Sequence, residues 1–291
     1  MPELPEVEIT RRRIARFLIG RRIASVRTTR NSYFFLTRPR TLARGLVGRS
    51  ALALDRKGKY LVVQLDDGKR LVLHLGMTGQ LFSQLATSPR LIPAASRTKR
   101  PSAEPGGFEP DEHTHLTLVF EDGGPWVMLR DVRKFGKVRL LRSDERDPRL
   151  ERLGVDALAV SGQALFRETR RRRVAIKSLL LDQAVLAGIG NIYADESLFH
   201  AGIRPRRRAG RLTRRECERL AGALRHVLDR AIETGGSSLR DFVGPDGRDG
   251  AYQNERRVYA RAGAPCHRCG SPIRALRLGQ RSAHYCPICQ I

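Results

Sequence analysis

The sequence predicts an α+β chain: an N-terminal helix with a β-sandwich or barrel, then a helical domain, then a short cysteine-rich hairpin. Three observations carry this. Short β-type runs fill residues 23–141. Helical periodicity takes over after about residue 144. Four of the five cysteines stand within the last stretch, at Cys266, Cys269, Cys286 and Cys289. The corresponding domains are 1–143, with residues 83–110 as an inserted loop, then 144–250 and 251–291.

The first helix opens at Pro2–Glu8 and ends at Gly20, with Val7, Ile14, Phe17 and Leu18 as its buried stripe. Tyr60–Leu65 and Arg70–Leu73 flank a turn at Asp66–Lys69 and read as a hairpin. His115–Phe120 and Trp126–Leu129 flank another turn. Several such strands in series favour a sandwich or a barrel. Ser83–Pro110 is rich in Pro, Ser, Gly, Arg and Lys without periodicity and reads as a flexible surface loop. Val174–Leu181 and Asn191–His200 read as two short helices. The longest helix spans Thr213–Thr234, where Thr213 and Glu216 form a capping box and Leu212 with Cys217 a hydrophobic staple. Cys217 lies on its buried face and reads as a core thiol. Gly235-Gly236 ends that helix, and a turn-rich stretch follows to Gly263.

Charge narrows the function class. There are 55 Lys plus Arg against 30 Asp plus Glu, a net charge of +25. Arginine supplies most of it, and its planar fork suits phosphate. This points to nucleic acid over a basic ribosomal or membrane-surface role. No apolar run reaches the length of a membrane span. The acidic start lacks the basic-then-apolar order of a signal peptide. An intracellular compartment that keeps thiols reduced is therefore expected.

In such a compartment the pair Cys266-x-x-Cys269, followed after 16 residues by Cys286-x-x-Cys289, reads as a closed four-thiolate site for one structural Zn2+. Redox-active or disulfide-bonded pairs are the alternative. Pro2 either starts a helix or, with Met1 removed, presents a secondary amine. Glu3 either favours the helix N-terminus or serves as an acid beside that amine. Glu6 reads as a capping or orienting residue.

The runs Pro2-Glu3-Leu4-Pro5-Glu6-Val7-Glu8, Arg56-Lys57-Gly58-Lys59-Tyr60, His74-Leu75-Gly76-Met77-Thr78-Gly79, Asp131-Val132-Arg133-Lys134-Phe135-Gly136 and Gly188-Ile189-Gly190-Asn191-Ile192-Tyr193-Ala194, then the four cysteines, stand in one fixed order. That order resembles the bacterial formamidopyrimidine-DNA glycosylases over essentially the whole chain except the 83–110 loop. The resemblance implies a β-sandwich N-terminal domain, a helix–two-turn–helix motif in the helical domain and a zinc-finger hairpin. It implies a cytoplasmic, monomeric enzyme acting on double-stranded DNA that contains oxidised bases or abasic sites. Its reaction would be excision through a Schiff base on the N-terminal proline, followed by β,δ-elimination.

The residues follow from the same resemblance. Pro2 is the nucleophile, Glu3 the general acid, Lys59 the β-elimination residue and Arg281 the δ-elimination residue. Met77, Arg133 and Phe135 fill the void left by an everted base. His74, His113, Arg133, Arg172, Lys177, Asn191 and Tyr259 contact DNA phosphate. For Asn191 an ordinary N-cap is the plain alternative. Met77 and His113 stand 36 positions apart, an apparent insertion that loosens the placement of His113. Leu4 and the glycine-led loop from Gly235 to Tyr252 resemble the branch directed at 8-oxoguanine and formamidopyrimidines. The pyrimidine-directed endonuclease VIII branch, and a catalytically silent zinc protein that binds damaged DNA, are the other readings.

Overall fold

A computed structural model describes residues 2–88, 107–238 and 242–291. Met1, the middle of the 83–110 loop and Leu239, Arg240 and Asp241 lie outside the described residues. The chain divides into two compact units. The first runs up to Asp147 and takes in Thr234–Ala251; the second joins Pro148–Glu233 to Tyr252–Ile291.

In the first unit, helix α1 (Leu4–Leu18) has a proline in its first turn and buries Leu4, Val7, Ile14 and Leu18. Phe17, expected in that stripe, is only partly buried against the core. Gly20, at φ 78°, turns the chain out of the helix, a conformation that glycine adopts without a Cβ penalty.

Two four-stranded sheets follow. One has the order β2 (Ala51–Lys57), β3 (Tyr60–Leu65), β4 (Arg70–His74), β8 (Lys137–Leu141). The other has the order β1 (Ile23–Thr28), β6 (Thr114–Phe120), β7 (Val127–Asp131), β5 (Gly79–Ser83). All pairings within them are antiparallel. A shared core takes Leu61, Val63 and Leu73 from the first sheet and Leu81, Leu116 and Leu129 from the second, with Val7 and Ile14 of α1. The sandwich alternative is thus the one realised. A short helix α2 (Pro39–Leu46), absent from the sequence reading, adds Leu42 and Leu46 to that core.

The described ends of the 83–110 segment are tied down. The Phe108 N–H donates to the Gln84 carbonyl at 2.8 Å. The Phe82 and Phe108 rings meet edge to face at 4.6 Å, in a small cluster with Ala86 and Met128. The stretch 234–250, expected with the helical domain, belongs with Ala251 to the first unit. The Ser83 N–H donates to the Pro245 carbonyl at 3.1 Å, and Arg13 pairs with Asp246 at 3.0 Å.

The second unit is mainly helical: α3 (Pro148–Glu151), α4 (Gly162–Thr169), α5 (Ile176–Leu181), α6 (Asn191–Ala201) and α7 (Arg214–Glu233). Strands β9 (Val155–Asp156) and β10 (Leu186–Ala187) pair in parallel and brace the connection between α5 and α6. The capping box at α7 is present: Glu216 accepts from the Thr213 N–H at 2.8 Å while the Thr213 hydroxyl accepts from the Glu216 N–H at 3.2 Å. Cys217 is buried, as a core thiol should be. Strands β11 (Arg274–Leu278) and β12 (Arg281–Tyr285) form the terminal hairpin. Among the described residues no helix is long and apolar enough to cross a membrane.

Candidate functional site

In the first unit the chain start is held inside the fold. Pro2 is buried, and Glu3 is 3% exposed. One Glu6 oxygen accepts from the Glu3 N–H at 2.8 Å, the other from the Ser237 N–H at 2.9 Å. A single carboxylate therefore joins the chain start to the glycine-led loop. Gly236 is required beside it: its φ is 79°, and an added Cβ would lie 3.0 Å from Glu6 Oε1. The orienting role read for Glu6 has this geometry behind it.

Helix α1 packs on β2 and β3, and Glu8 ties them together. It meets Arg11 and Arg12 at 2.7 Å and Arg56 at 3.0 Å. Burial pushes the Glu8 carboxyl up, but hydrogen bonds from the three guanidiniums outweigh it and hold it at about 2. Arg56 also donates to the Gly58 carbonyl at 3.2 Å. Glu8 thus anchors the turn that carries Lys59, itself 8% exposed.

The Met77 and Arg133 turns of the same unit are joined by Asp131, which is fully buried. Its Oδ1 accepts from the Thr78 hydroxyl at 2.5 Å and from the Arg133 N–H at 3.2 Å; its Oδ2 accepts from the Gly136 N–H at 2.7 Å. Gly76, at φ 64°, lets the turns touch, since a Cβ there would fall 2.5 Å from the Gly136 nitrogen. Met77 is 38% and Phe135 42% exposed, and the Arg133 guanidinium lies 4.5 Å over the Phe135 ring. An apolar thioether and an aromatic ring are thus presented outward on braced turns. His74 sits 4.7 Å from the Tyr60 ring, its Nδ1 accepting from the Gly76 N–H at 3.1 Å. His113 lies 3.6 Å from Glu112, a neighbour that does not favour phosphate there.

In the second unit Asn191 is the first residue of α6, and the N-cap is Gly190, which has no side chain. The N-cap alternative for Asn191 is therefore incorrect. Among the described residues the α6 N-cap makes no side-chain capping bond, and Asn191 Oδ1 is buried without a partner. Uncapped N–H groups at a helix start favour an anion.

Lys177 requires a correction. It is 0% exposed and pairs with Asp195 at 2.6 Å, donating also to the Ser282 carbonyl at 2.5 Å. A side chain so enclosed is an internal strut and does not reach phosphate. Its partner Asp195 further accepts from the His284 N–H at 2.9 Å. Glu196 accepts from the N–H groups of Arg257, Val258 and Tyr259 at 2.8–3.0 Å. These two buried acids fasten α6 to the hairpin strand that begins at Arg281 and to the segment carrying Tyr259. Arg281 is exposed at the end of the hairpin turn. Arg172 is exposed, 3.7 Å from Glu168. Asp131, Asp195 and Glu196 escaped the sequence reading; a carboxylate inside an otherwise apolar run was the one available signal.

The Sγ atoms of Cys266, Cys269, Cys286 and Cys289 lie within 4.8 Å of one another, two pairs at 3.9 and 3.4 Å. A tetrahedral zinc with bonds near 2.3 Å needs sulfurs about 3.8 Å apart. The cluster fits one structural zinc ion.

Comparison with known proteins agrees with this layout. Family models match in order: the formamidopyrimidine-DNA glycosylase N-terminal domain over residues 1–138, its H2TH domain over 153–243, and the zinc finger found in FPG and IleRS over 263–291. Formamidopyrimidine-DNA glycosylases of Burkholderia thailandensis and Cupriavidus pinatubonensis are 44% and 45% identical, with all of both chains covered. The MutM (Fpg) structure from Thermus thermophilus superposes with a TM-score of 0.82 at 38% identity, covering 99% of this chain and 98% of that one. A complex of Lactococcus lactis Fpg with abasic-site DNA gives 0.84 at 32% identity, covering 99% of each chain.

Proposed function

The chain belongs to the formamidopyrimidine-DNA glycosylase family, and from that premise we propose that it is a DNA glycosylase and abasic-site lyase that excises oxidised purines from duplex DNA. It acts as a cytoplasmic monomer. With Met1 removed, Pro2 is a secondary amine whose ordinary pKa near 8 leaves a neutral fraction at pH 7. Its nitrogen bonds to the sugar C1′, and the glycosidic bond breaks with its electron pair leaving on the base. Glu3 protonates the ring oxygen as the sugar opens, and loss of the proline proton gives the iminium. That electron sink acidifies C2′; loss of a C2′ proton expels the 3′ phosphate, and a second elimination expels the 5′ phosphate. Lys59 assists the first elimination and Arg281 the second.

Met77, Arg133 and Phe135 fill the hole left by the everted nucleotide, and Asn191 and Arg172 hold backbone phosphate. Zinc on the four cysteines supplies a structural cross-link and takes no part in the chemistry. The observation that carries the reading is the Glu6 carboxylate. It spans from the residue after Pro2 to the loop proposed to close over the base, so nucleophile and base recognition share one support.

A complex of Lactococcus lactis Fpg with DNA containing an oxidised pyrimidine favours a second reading, in which oxidised pyrimidines are also accepted. Borohydride trapping on duplexes with 8-oxoguanine opposite cytosine and thymine glycol opposite adenine tests both. A covalent adduct at the N-terminal residue, formed faster on 8-oxoguanine, is expected. An adduct mapped to Lys59 would refute the nucleophile, and faster reaction with thymine glycol would move the substrate to the second reading.

A further inference from the structure

The second unit holds a cavity of about 810 Å³ lined by Arg204, Arg206, Arg207, Arg208, Arg211 and Ile291. Its backbone is strapped down. The Ile176 N–H donates to the Arg207 carbonyl at 2.7 Å, the Lys177 N–H to the Pro205 carbonyl at 3.2 Å, and the Ala209 N–H to the Val174 carbonyl at 2.9 Å. Five guanidiniums therefore converge on ordered chain, which like-charge repulsion opposes unless an anion joins them.

Little inside the unit supplies that anion. Arg207 forms a fork with Glu216 at 2.5 and 3.0 Å. Among the described residues the Arg204 side chain donates to the carbonyls of Gln290 and Pro287, at 3.0 and 2.9 Å, and its backbone N–H donates to the Ile291 oxygen at 3.0 Å. Arg206, Arg208 and Arg211 are exposed, and no carboxylate among the described residues pairs with them.

A second basic element packs on the segment that lines the cavity. The Gly210 N–H donates to the Arg172 carbonyl at 2.9 Å, and a Cβ at Gly210 would fall 2.8 Å from that oxygen. The turn carrying Arg171, Arg172 and Arg173 thus lies against the 204–211 segment. Helix α6 separates this surface from Asn191: the cavity follows its last residue, and its 11 residues span about 16 Å at 1.5 Å each.

We propose that this arginine cavity is a second phosphate-binding site, engaging backbone phosphates of a DNA duplex beyond those held at the α6 start. Five guanidiniums lining one surface suit a polyanion that offers several phosphates. Arginine forks match phosphate geometry and read no sequence there. The inference rests on the reading that the chain binds duplex DNA, and it deepens it by enlarging the footprint.

The test uses the full-length zinc-loaded protein and the triple variant Arg206→Ala, Arg208→Ala, Arg211→Ala. Binding to undamaged duplexes of about 12 and about 40 base pairs is followed against salt. With roughly 0.9 of slope per phosphate contacted, the triple variant should lose about 2–3 of slope on the long duplex and little on the short one. Replacing the same three residues by lysine should retain most of the slope, and unchanged zinc content and circular dichroism show that the variants fold. Equal slopes for wild type and alanine variant on the long duplex would overturn the proposal. So would tripolyphosphate binding lost in the variant while its duplex binding stays unchanged, which would assign the cavity to a free polyanion. Failure of the catalytic reading would show as absent borohydride adducts and leaves this binding measurement intact.

Discussion

At the scale of single residues, the Lys177–Asp195 pair separates a structural charge from a DNA-facing one. Both side chains are fully buried, so removing one partner leaves the other charge unpaired in a low-dielectric interior. Lys177→Met should therefore cost about 3–5 kcal/mol, read by urea unfolding. The double variant Lys177→Met, Asp195→Leu should regain much of that loss. A Lys177→Met protein as stable as wild type, but weak on DNA, would restore the phosphate role. The sequence could not reveal this pairing. A lone lysine after Ile176 reads as surface until its acid, 18 positions on, is seen to fold beneath it. Contacts that close within one helical turn were legible for the opposite reason. Glu6 three residues after Glu3, and Glu216 three after Thr213, need no knowledge of the tertiary fold.

At the scale of elements, the terminal hairpin has too little apolar surface to hold itself. Its burial comes from Cys266, Ile273 and Cys286 packed on Phe199 and Val258. Metal thiolate bonds supply the rest of the order in such a site. Cys269→Ser should bind less than one tenth of the zinc by elemental analysis, and with it lose the hairpin's protection from proteolysis and its affinity for duplex DNA. A metal-free protein with full DNA affinity would contradict this. The cysteine spacing made this element readable from sequence alone. Helix α2 was not, because eight residues starting at Pro39 and carrying Arg40 and Arg44 show only two buried leucines. The 234–250 stretch was assigned by its neighbours in sequence, whereas its allegiance is set by Glu6 and Arg13, more than 200 residues earlier.

At the scale of the whole molecule, the two units carry different acid sensitivities. Glu8 in the first unit is held at about 2, against an ordinary value of 4.5. Its folded pKa is depressed, so its stabilisation is present above pH 4.5 and is lost as the pH falls toward 2. In the second unit, burial first, then His226, Arg268 and Arg257, push His200 from 6.5 down to about 4. It stays neutral in the fold, and its contribution is lost as the pH falls from 6.5 toward 4. Acid titration should therefore loosen the second unit first. The single tryptophan, Trp126, belongs to the first unit, so its emission should change at lower pH than the far-ultraviolet circular dichroism, which the helices dominate. Coincident transitions would mean that the units unfold together.

The two-sided grip of Glu6 also has a consequence for biosynthesis. One of its oxygens can engage Glu3 as soon as α1 forms, but its other partner, Ser237, is synthesised 231 residues later. At roughly 5–20 residues per second, that is a delay of roughly 10–50 s on the ribosome. Throughout it the chain start lacks the contact from Glu6 to Ser237 and is open to the aminopeptidase that would remove Met1. Maturation of the amine proposed as the nucleophile is thereby scheduled ahead of the Glu6–Ser237 contact.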